Sequence, residues 1–224
     1  MNIKKHTITV LLIILTYISY GQDSKWRLNL QYGLQHNFFV DYGKLINYDN
    51  GYILPVENAI STDFIQKKPL GTQFGFSIGY VNKKNTIYLS YDRSENVGTY
   101  NGSIQVENAI LNLVDYDLRH INNYFSLTLK HDVKAKNKVY WSVGWYFLNP
   151  QQEEIEIIEP FIVLSKRTAF NEFKNAQFGF LLGVDYIIYA NKYYNFGVNS
   201  TYYHTLSTAE PESFLISPFV CFKL

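Results

Sequence analysis

Apolar and polar residues alternate without interruption from Trp26 to Gln35. One set of alternate residues is apolar (Trp26, Leu28, Leu30, Tyr32 and Leu34), and the other is polar or small (Arg27, Asn29, Gln31, Gly33 and Gln35). Side chains of a β-strand point alternately to its two faces, so this spacing predicts a strand of about ten residues with one apolar and one polar face. An antiparallel sheet over a soluble core can show the same pattern, so this one strand does not decide the kind of protein, and the rest of the chain is needed.

The same alternation recurs along the chain. It predicts further strands at about residues 73–80, 86–92, 124–130, 139–147, 177–188, 194–203 and 214–224. Long connecting stretches at 39–70, 93–122 and 149–176 alternate with short turns at 82–85, 134–137 and 190–192, and a medium connection precedes the last strand. In an antiparallel barrel this order places every long connection at one end and every tight turn at the other. The pattern therefore predicts an all-β chain, an eight-stranded antiparallel up-and-down barrel.

The first 21 residues are typical of a secretory signal peptide. Lys4 and Lys5 precede an apolar segment at 8–18, and Ser19 and Gly21 fit cleavage before Gln22. The alternative is an uncleaved membrane anchor, but the apolar run is well short of the roughly 20 residues that a spanning helix needs. We therefore expect an exported chain whose barrel domain is residues 22–224.

The composition fits a chain that meets a membrane–water boundary. The chain has 20 Tyr, 16 Phe and 3 Trp among its 224 residues. Amphipathic rings favour that boundary, although a soluble β-protein would also use Tyr in its strands. The single cysteine, Cys221, excludes an intramolecular disulfide.

From about Trp26 to Leu224 the chain resembles the small eight-stranded bacterial outer-membrane β-barrels, the OmpA-, OmpX- and OmpW-like group. The resemblance lies in the strand and loop pattern and in the carboxyl end, where Phe222 is the penultimate outward residue. The chain departs from the group in ending on Leu224, in having Phe219 where Gly is common, and in placing Pro218 inside the last strand, where it removes a ladder donor. The resemblance implies a transmembrane barrel of the Gram-negative cell outer membrane, with long extracellular loops and short periplasmic turns.

Charge separates between the two ends of the predicted barrel. Without Lys4 and Lys5 the chain has 18 basic and 19 acidic residues; the long-loop end takes 16 acids and 8 bases, and the short-turn end 3 acids and 10 bases. Basic turns can lie against anionic lipid head groups. The acidic loops could bind lipopolysaccharide through divalent cations, or they are simply polar surface.

The predicted inward face is small and polar, and an eight-stranded barrel leaves room only for side chains or one small ligand. We therefore expect a filled lumen. Arg27, Lys130 and Asp185 face inward near the short-turn end and are candidates for an internal ion-pair cluster. The functional alternative is a gated path for small solutes, as in a porin-like channel.

Two other functions compete with a structural one. A lipid-modifying enzyme would use a His with Ser and an acid, for which His36, His204, Asp92 and Ser94 are the candidates, but they form no sequence motif. A secreted lipocalin-like binding barrel would turn the apolar faces inward. The uninterrupted apolar faces exceed what such a calyx can enclose.

A repeat links the first two long stretches. The pentapeptide VENAI occurs at Val56, Glu57, Asn58, Ala59 and Ile60 and again at Val106, Glu107, Asn108, Ala109 and Ile110. It indicates either a duplicated hairpin tip or two neighbouring loops that present like surfaces to one partner. In the third stretch the alternation of residues 154–157 predicts that the fifth strand continues beyond the membrane.

The sequence thus predicts an outer-membrane barrel with a structural or surface-interaction role. The expected partners are outer-membrane lipid, lipopolysaccharide and an extracellular protein at the loops, and we expect a monomer that binds no nucleic acid. Glycines form no phosphate loop and histidines lack ligand spacing, so we expect no cofactor and no metal.

Overall fold

The computed structural model describes residues 25–39, 45–49, 52–55, 65–66, 69–106, 109–133, 138–158, 163–170, 176–207 and 209–224. The predicted signal peptide, residues 1–21, lies outside these ranges. Within them no helix is long and apolar enough to cross a membrane. The strands in chain order are β1 (Trp26–Asn37), β2 (Leu45–Asp49), β3 (Tyr52–Pro55), β4 (Ile65–Gln66), β5 (Leu70–Asn82), β6 (Asn85–Val106), β7 (Ala109–Asp132), β8 (Val139–Ile158), β9 (Val163–Phe170), β10 (Gln177–Ala190), β11 (Tyr194–Thr205) and β12 (Glu210–Lys223).

Eight of these strands form a closed ring. The pairings run β1–β5–β6–β7–β8–β10–β11–β12, and β12 pairs back with β1; each neighbouring pair is antiparallel. The predicted fold class, an eight-stranded antiparallel up-and-down barrel, is confirmed. Closure pairs the strands on both sides and leaves the wall without an open edge, which a β-structure surrounded by lipid requires.

The seam between β1 and β12 adapts to a proline. The register is the same on both sides, with Gln31 opposite Phe219 and Leu34 opposite Ile216, but the ladder is interrupted between these pairs, beside Pro218. Proline has no N–H to donate at this point. On the facing strand a Cβ at Gly33 would lie only 2.5 Å from Cα of Ser217. Glycine at position 33 therefore lets the two backbones approach where the ladder is broken.

The apolar faces point outward, as predicted. On β1, Trp26, Tyr32 and Leu34 are each more than half exposed, whereas Asn29 and Gln35 are buried. The other barrel strands follow the same rule, and all three tryptophans lie on the outward face, Trp141 and Trp145 on β8. A lipocalin-like calyx needs the opposite orientation, and that alternative is wrong for this chain.

Aromatic pairs lie at two levels of the outward face, which we call the two aromatic girdles. Near the short turns lie Trp26 against Tyr80, with ring centroids 5.3 Å apart, and His131 against Trp141 at 5.5 Å. Toward the other end lie His36 against Phe38 and Phe180 against His204, both at 4.9 Å. Ten residues of β1 separate the two aromatic girdles. In a tilted strand this length corresponds to an apolar band about 25 Å tall.

The described residues of the long connections include β-structure that extends the wall strands beyond the barrel. β6 and β7 continue to Val106 and Ala109, which pair with each other. The stretch 149–176 contains the end of β8 and all of β9, and the predicted continuation of the fifth strand through residues 154–157 is confirmed. In the first stretch β2 pairs in parallel with β8, and β4 pairs with β6. We call this end of the molecule the extended end and the other the short-turn end.

The extended end has its own packing. A cluster of buried side chains joins β6, β7 and β8: Tyr100, Leu113, Leu118, Ile155 and Ile157. Beside it the buried carboxylate of Glu153 accepts hydrogen bonds from Arg119 Nε at 2.8 Å and Nη2 at 2.6 Å. These hydrogen bonds and the negative charge of Glu153 raise the pKa of the Arg119 guanidinium above its usual value. The extended strands are therefore held together above the barrel by apolar contacts and an ion pair.

Candidate functional site

The interior of the barrel is the candidate site, because alternation places polar side chains there from every wall strand. Buried inward residues include Asn29, Gln35, Ser77, Asp92 and Asn199. The predicted filled lumen can be tested layer by layer from the extended end to the short-turn end.

Three buried tyrosines pack against one another inside the barrel. Tyr124, Tyr146 and Tyr203 are at most 2% exposed, and their ring centroids lie 4.8 to 5.7 Å from one another. Leu148, Leu181 and Leu215 pack in the same cluster. We call these three rings the tyrosine layer. The layer packs across the interior at this level.

Hydrogen bonds fix the tyrosine layer from the side of the extended end. Gln35 Nε2 donates to the Tyr124 hydroxyl at 2.9 Å, and the Tyr146 hydroxyl lies 2.8 Å from Thr205 Oγ1. Glu212 is buried beside them and accepts from Asn122 Nδ2 at 3.1 Å. Polar side chains surround the hydroxyls, as buried tyrosines require.

Toward the short-turn end the tyrosine layer is followed by a small polar chamber of about 50 Å3. Gln31 Nε2 donates to Asp92 Oδ1 at 2.6 Å on its wall. A chamber of this size holds one or two waters and no larger solute.

The predicted ion-pair candidates lie below this chamber. Lys130 Nζ forms a salt bridge with Asp185, whose other oxygen accepts from Asn199 Nδ2 at 2.6 Å. The Lys130 ammonium also lies 4.9 Å from the centre of the Tyr88 ring. Arg27 lines a wider cavity at the short-turn end, to which Lys130 and Asp185 also contribute, and its Nη1 donates to the Trp26 carbonyl at 2.8 Å. The structure thus brings Lys130 and Asp185 into direct contact and places Arg27 near them at the rim.

Sequence reasoning missed a pairing of aromatic rings with glycines across the wall. Tyr88, Tyr146 and Phe219 lie directly opposite Gly79, Gly179 and Gly197 on neighbouring strands. A Cβ on these glycines would lie 2.5, 2.6 and 2.9 Å from the facing rings. The glycines therefore make the space in which the inward rings lie flat against the wall. The signal was present in the sequence as inward glycines, but it needs the register to be read.

We expect Gly179→Ala to lower the free energy of unfolding by about 1–3 kcal/mol, because the new methyl group would overlap the His204 carbonyl oxygen and the Tyr146 ring, so the backbone or the tyrosine layer has to shift. The measurement is urea unfolding in detergent micelles, followed by gel mobility. Gly183→Ala is the matched control on the same strand and face, since its nearest neighbour is the Ser142 hydroxyl, which can rotate away. The control should cost less than about 1 kcal/mol. Equal losses in the two variants would contradict the role of the glycine.

The candidates for a hydrolytic or acyl-transfer triad do not come together. Asp92 and Ser94 are buried on the inward face of β6. His36 and His204 lie on the outward face, in the aromatic girdle nearer the extended end, where they contact Phe38 and Phe180. The wall of the barrel therefore separates the histidines from the acid and the serine.

The VENAI repeat can be followed only in part. Its first copy, Val56 to Ile60, lies outside the described residues, as do Glu107 and Asn108 of the second copy. Val106 pairs with Ala109 at the tip of the β6–β7 hairpin, and Ile110 is 69% exposed. Whether the two copies share a surface stays a prediction.

The described residues contain no group of three His, Cys, Asp or Glu side chains placed to hold a metal ion.

The closed ring with its apolar exterior and polar, filled interior defines the class of small up-and-down β-barrels. No family model matches the chain, and no curated protein sequence matches it. Among solved structures, the outer membrane protein OprG from Pseudomonas aeruginosa is similar, with 12% identity, 91% of this chain and 99% of that chain covered, and a TM-score of 0.45. Neisserial surface protein A shows 13% identity, with coverage of 90% and 98% and a TM-score of 0.41. Ail of Yersinia pestis, solved with the heparin analogue sucrose octasulfate, shows 10% identity, with coverage of 88% and 98% and a TM-score of 0.41.

Proposed function

We propose that this chain is an integral protein of the bacterial outer membrane, with a structural or surface-interaction role. The observation that carries the proposal is the outward face of the closed barrel, which exposes large apolar side chains between the two aromatic girdles. A soluble protein rarely exposes a continuous apolar surface of this size, whereas lipid solvates it. The signal-peptide pattern of residues 1–21 supplies a route of export.

The orientation we propose places the short turns in the periplasm and the extended end outside the cell. Small outer-membrane barrels have short periplasmic turns and longer extracellular segments. The basic residues of the short-turn end and the acidic residues of the extended end agree with this orientation, since basic turns can contact lipid phosphates.

The interior supports a structural role over transport. The tyrosine layer and the salt-bridged Lys130 below it occupy the axis, and the chamber between them holds only water-sized molecules. A diffusion path for solutes would require both the tyrosine layer and the Lys130–Asp185 pair to move. The separated histidines likewise give no support to the lipid-modifying alternative.

The extended end offers the surface for interaction. It combines a rigid base, the apolar cluster with the Arg119–Glu153 pair, with exposed apolar side chains such as Ile110 and Val114 near the hairpin tip. The partners we propose there are an extracellular protein and lipopolysaccharide bridged by divalent cations. We also propose a monomer, since the pairing of β12 with β1 closes the sheet within one chain.

Cell fractionation and gel mobility test the location. The chain should stay with outer membranes after an alkaline wash, and the unboiled protein should migrate differently from the boiled protein, because a closed barrel resists unfolding by detergent. A peripheral protein of the same cells, released by the wash, is the control. Recovery of the chain in the soluble fraction would rule out the proposal.

A further inference from the structure

The barrel opens at the short-turn end into a cavity of about 300 Å3 that the proposed function does not use. We call it the basal vestibule. Five cationic side chains are among its lining residues: Arg27, Lys83, Lys84, Lys130 and Lys223. They come from β1, from the β5–β6 turn, from β7 and from β12, so the positive charges surround the opening from several sides.

The carboxylates of the vestibule do not balance these cations. The described lining contains two acids, Asp132 and Asp185, against five cations. Asp185 is engaged by Lys130 and by Asn199. The described lining therefore carries a formal net charge of +3. A cleft with one sign of charge and low-dielectric walls concentrates its field at the opening and attracts ions of the opposite sign.

The turn that carries two of the lysines is fixed in place. Asn82 and Asn85 pair across it, Lys83 has a φ of 56°, and the Asp132 N–H donates to the Lys84 carbonyl at 3.0 Å. On the opposite side Lys223 Nζ donates to the Asn191 carbonyl at 2.5 Å. The backbone around the cations is thus ordered before any ligand binds, which lowers the entropy lost on binding.

Aromatic side chains form part of the remaining lining. Tyr88, Tyr140 and Phe219 contribute to the wall, and the Lys130 ammonium lies 5.6 Å from the centre of the Phe219 ring. A cavity of about 300 Å3 is at the small end of the range for small-molecule sites and is larger than one inorganic ion requires. The lining therefore offers charge for an anionic group and apolar surface for a small organic part.

We propose that the basal vestibule binds a small phosphate-bearing anion. Several ammonium groups and one guanidinium can donate to the three or four oxygens of a phosphate at once, whereas a carboxylate has only two oxygens to accept. The phosphate can belong to a soluble phosphate ester or to the head group of an anionic lipid at the rim. Binding by the purified protein does not depend on the cellular location proposed above, so the two ideas fail independently.

The test uses the full mature chain refolded in neutral detergent micelles, with inorganic phosphate as the first probe. Saturable binding, measured by calorimetry, should weaken by about tenfold or more in the double variant Lys83→Gln and Lys84→Gln, since each lysine near an anion contributes on the order of 1 kcal/mol. Glutamine is unbranched like lysine, so it adds no strain at the positive φ of position 83.

The matched control removes the same two charges from the same end but outside the vestibule. Lys138→Gln with Lys192→Gln changes exposed residues that do not line the cavity, and it should leave phosphate binding unchanged. Gel mobility before and after boiling shows that both variants form the barrel.

A second arm identifies the source of the phosphate. Phosphatidylglycerol added to the micelles is counted on the protein by native mass spectrometry, with phosphatidylcholine as the neutral comparison. Phosphate binding that depends on Lys83 and Lys84 supports a soluble ligand, and selective retention of phosphatidylglycerol with the same dependence supports a lipid head group. Binding of neither probe, or equal losses in the two double variants, would overturn the proposal.

Discussion

Replacing Lys130 by methionine should destabilise the barrel by about 3–5 kcal/mol, the largest effect we expect from a single substitution. The side chain of Asp185 is only 2% exposed, and that of Lys130 is 16% exposed. Without the ammonium group, the Asp185 carboxylate loses its salt bridge and keeps the hydrogen bond from Asn199. Methionine preserves the length of the side chain, so the loss reports the missing charge more than a missing volume. Urea unfolding in lipid vesicles, followed by gel mobility, measures the change.

The companion variant removes both charges. Lys130→Met combined with Asp185→Asn should recover most of the lost stability, because a buried pair costs far more when one partner is left alone than when both are neutral. Non-additivity of this kind is expected for residues in direct contact. If Lys130→Met alone costs less than about 1 kcal/mol, water solvates the Asp185 carboxylate and the barrel is open at this level.

Arginine in place of Leu127 should destabilise the folded barrel by about 2–4 kcal/mol in a bilayer. Leu127 is 55% exposed on the outward face of β7, within the apolar band between the two aromatic girdles. In water an arginine at such an exposed position would cost almost nothing. In lipid it must leave water or distort the bilayer around it.

Val114→Arg is the control for this prediction. Val114 lies on the same strand and is 75% exposed, but it belongs to the extended end above the apolar band. Its substitution should change stability by no more than about 0.5 kcal/mol. Both variants are unfolded by urea in the same vesicles. Equal and small effects at the two positions would show that the outward face of β7 meets water along its whole length.

The eight wall strands could be predicted from sequence because lipid on one side and a packed interior on the other impose a strict period of two. The period fails where that contrast ends. Beyond residue 92, outward Arg93 and Glu95 are polar like inward Ser94 and Asn96, so the outward face of β6 is no longer apolar there. The strand continues, but its sequence no longer alternates. For the same reason β9 was not predicted.

The interior could be predicted in character but not in arrangement. The narrow bore of an eight-stranded barrel is enough to predict a filled lumen. Which rings share one layer depends on the stagger between strands, which the sequence does not show. Tyr203 joins the tyrosine layer from β11 only because the register places it level with Tyr124 and Tyr146.

The outward position of all three tryptophans has a spectroscopic consequence. Trp26, Trp141 and Trp145 are each more than two-fifths exposed on the apolar face, and the described lumen contains tyrosine as its largest fluorophore. Tryptophan emission from this chain therefore reports the medium that surrounds the barrel. Transfer from water to acyl chains shifts it, whereas an event confined to the interior leaves it unchanged.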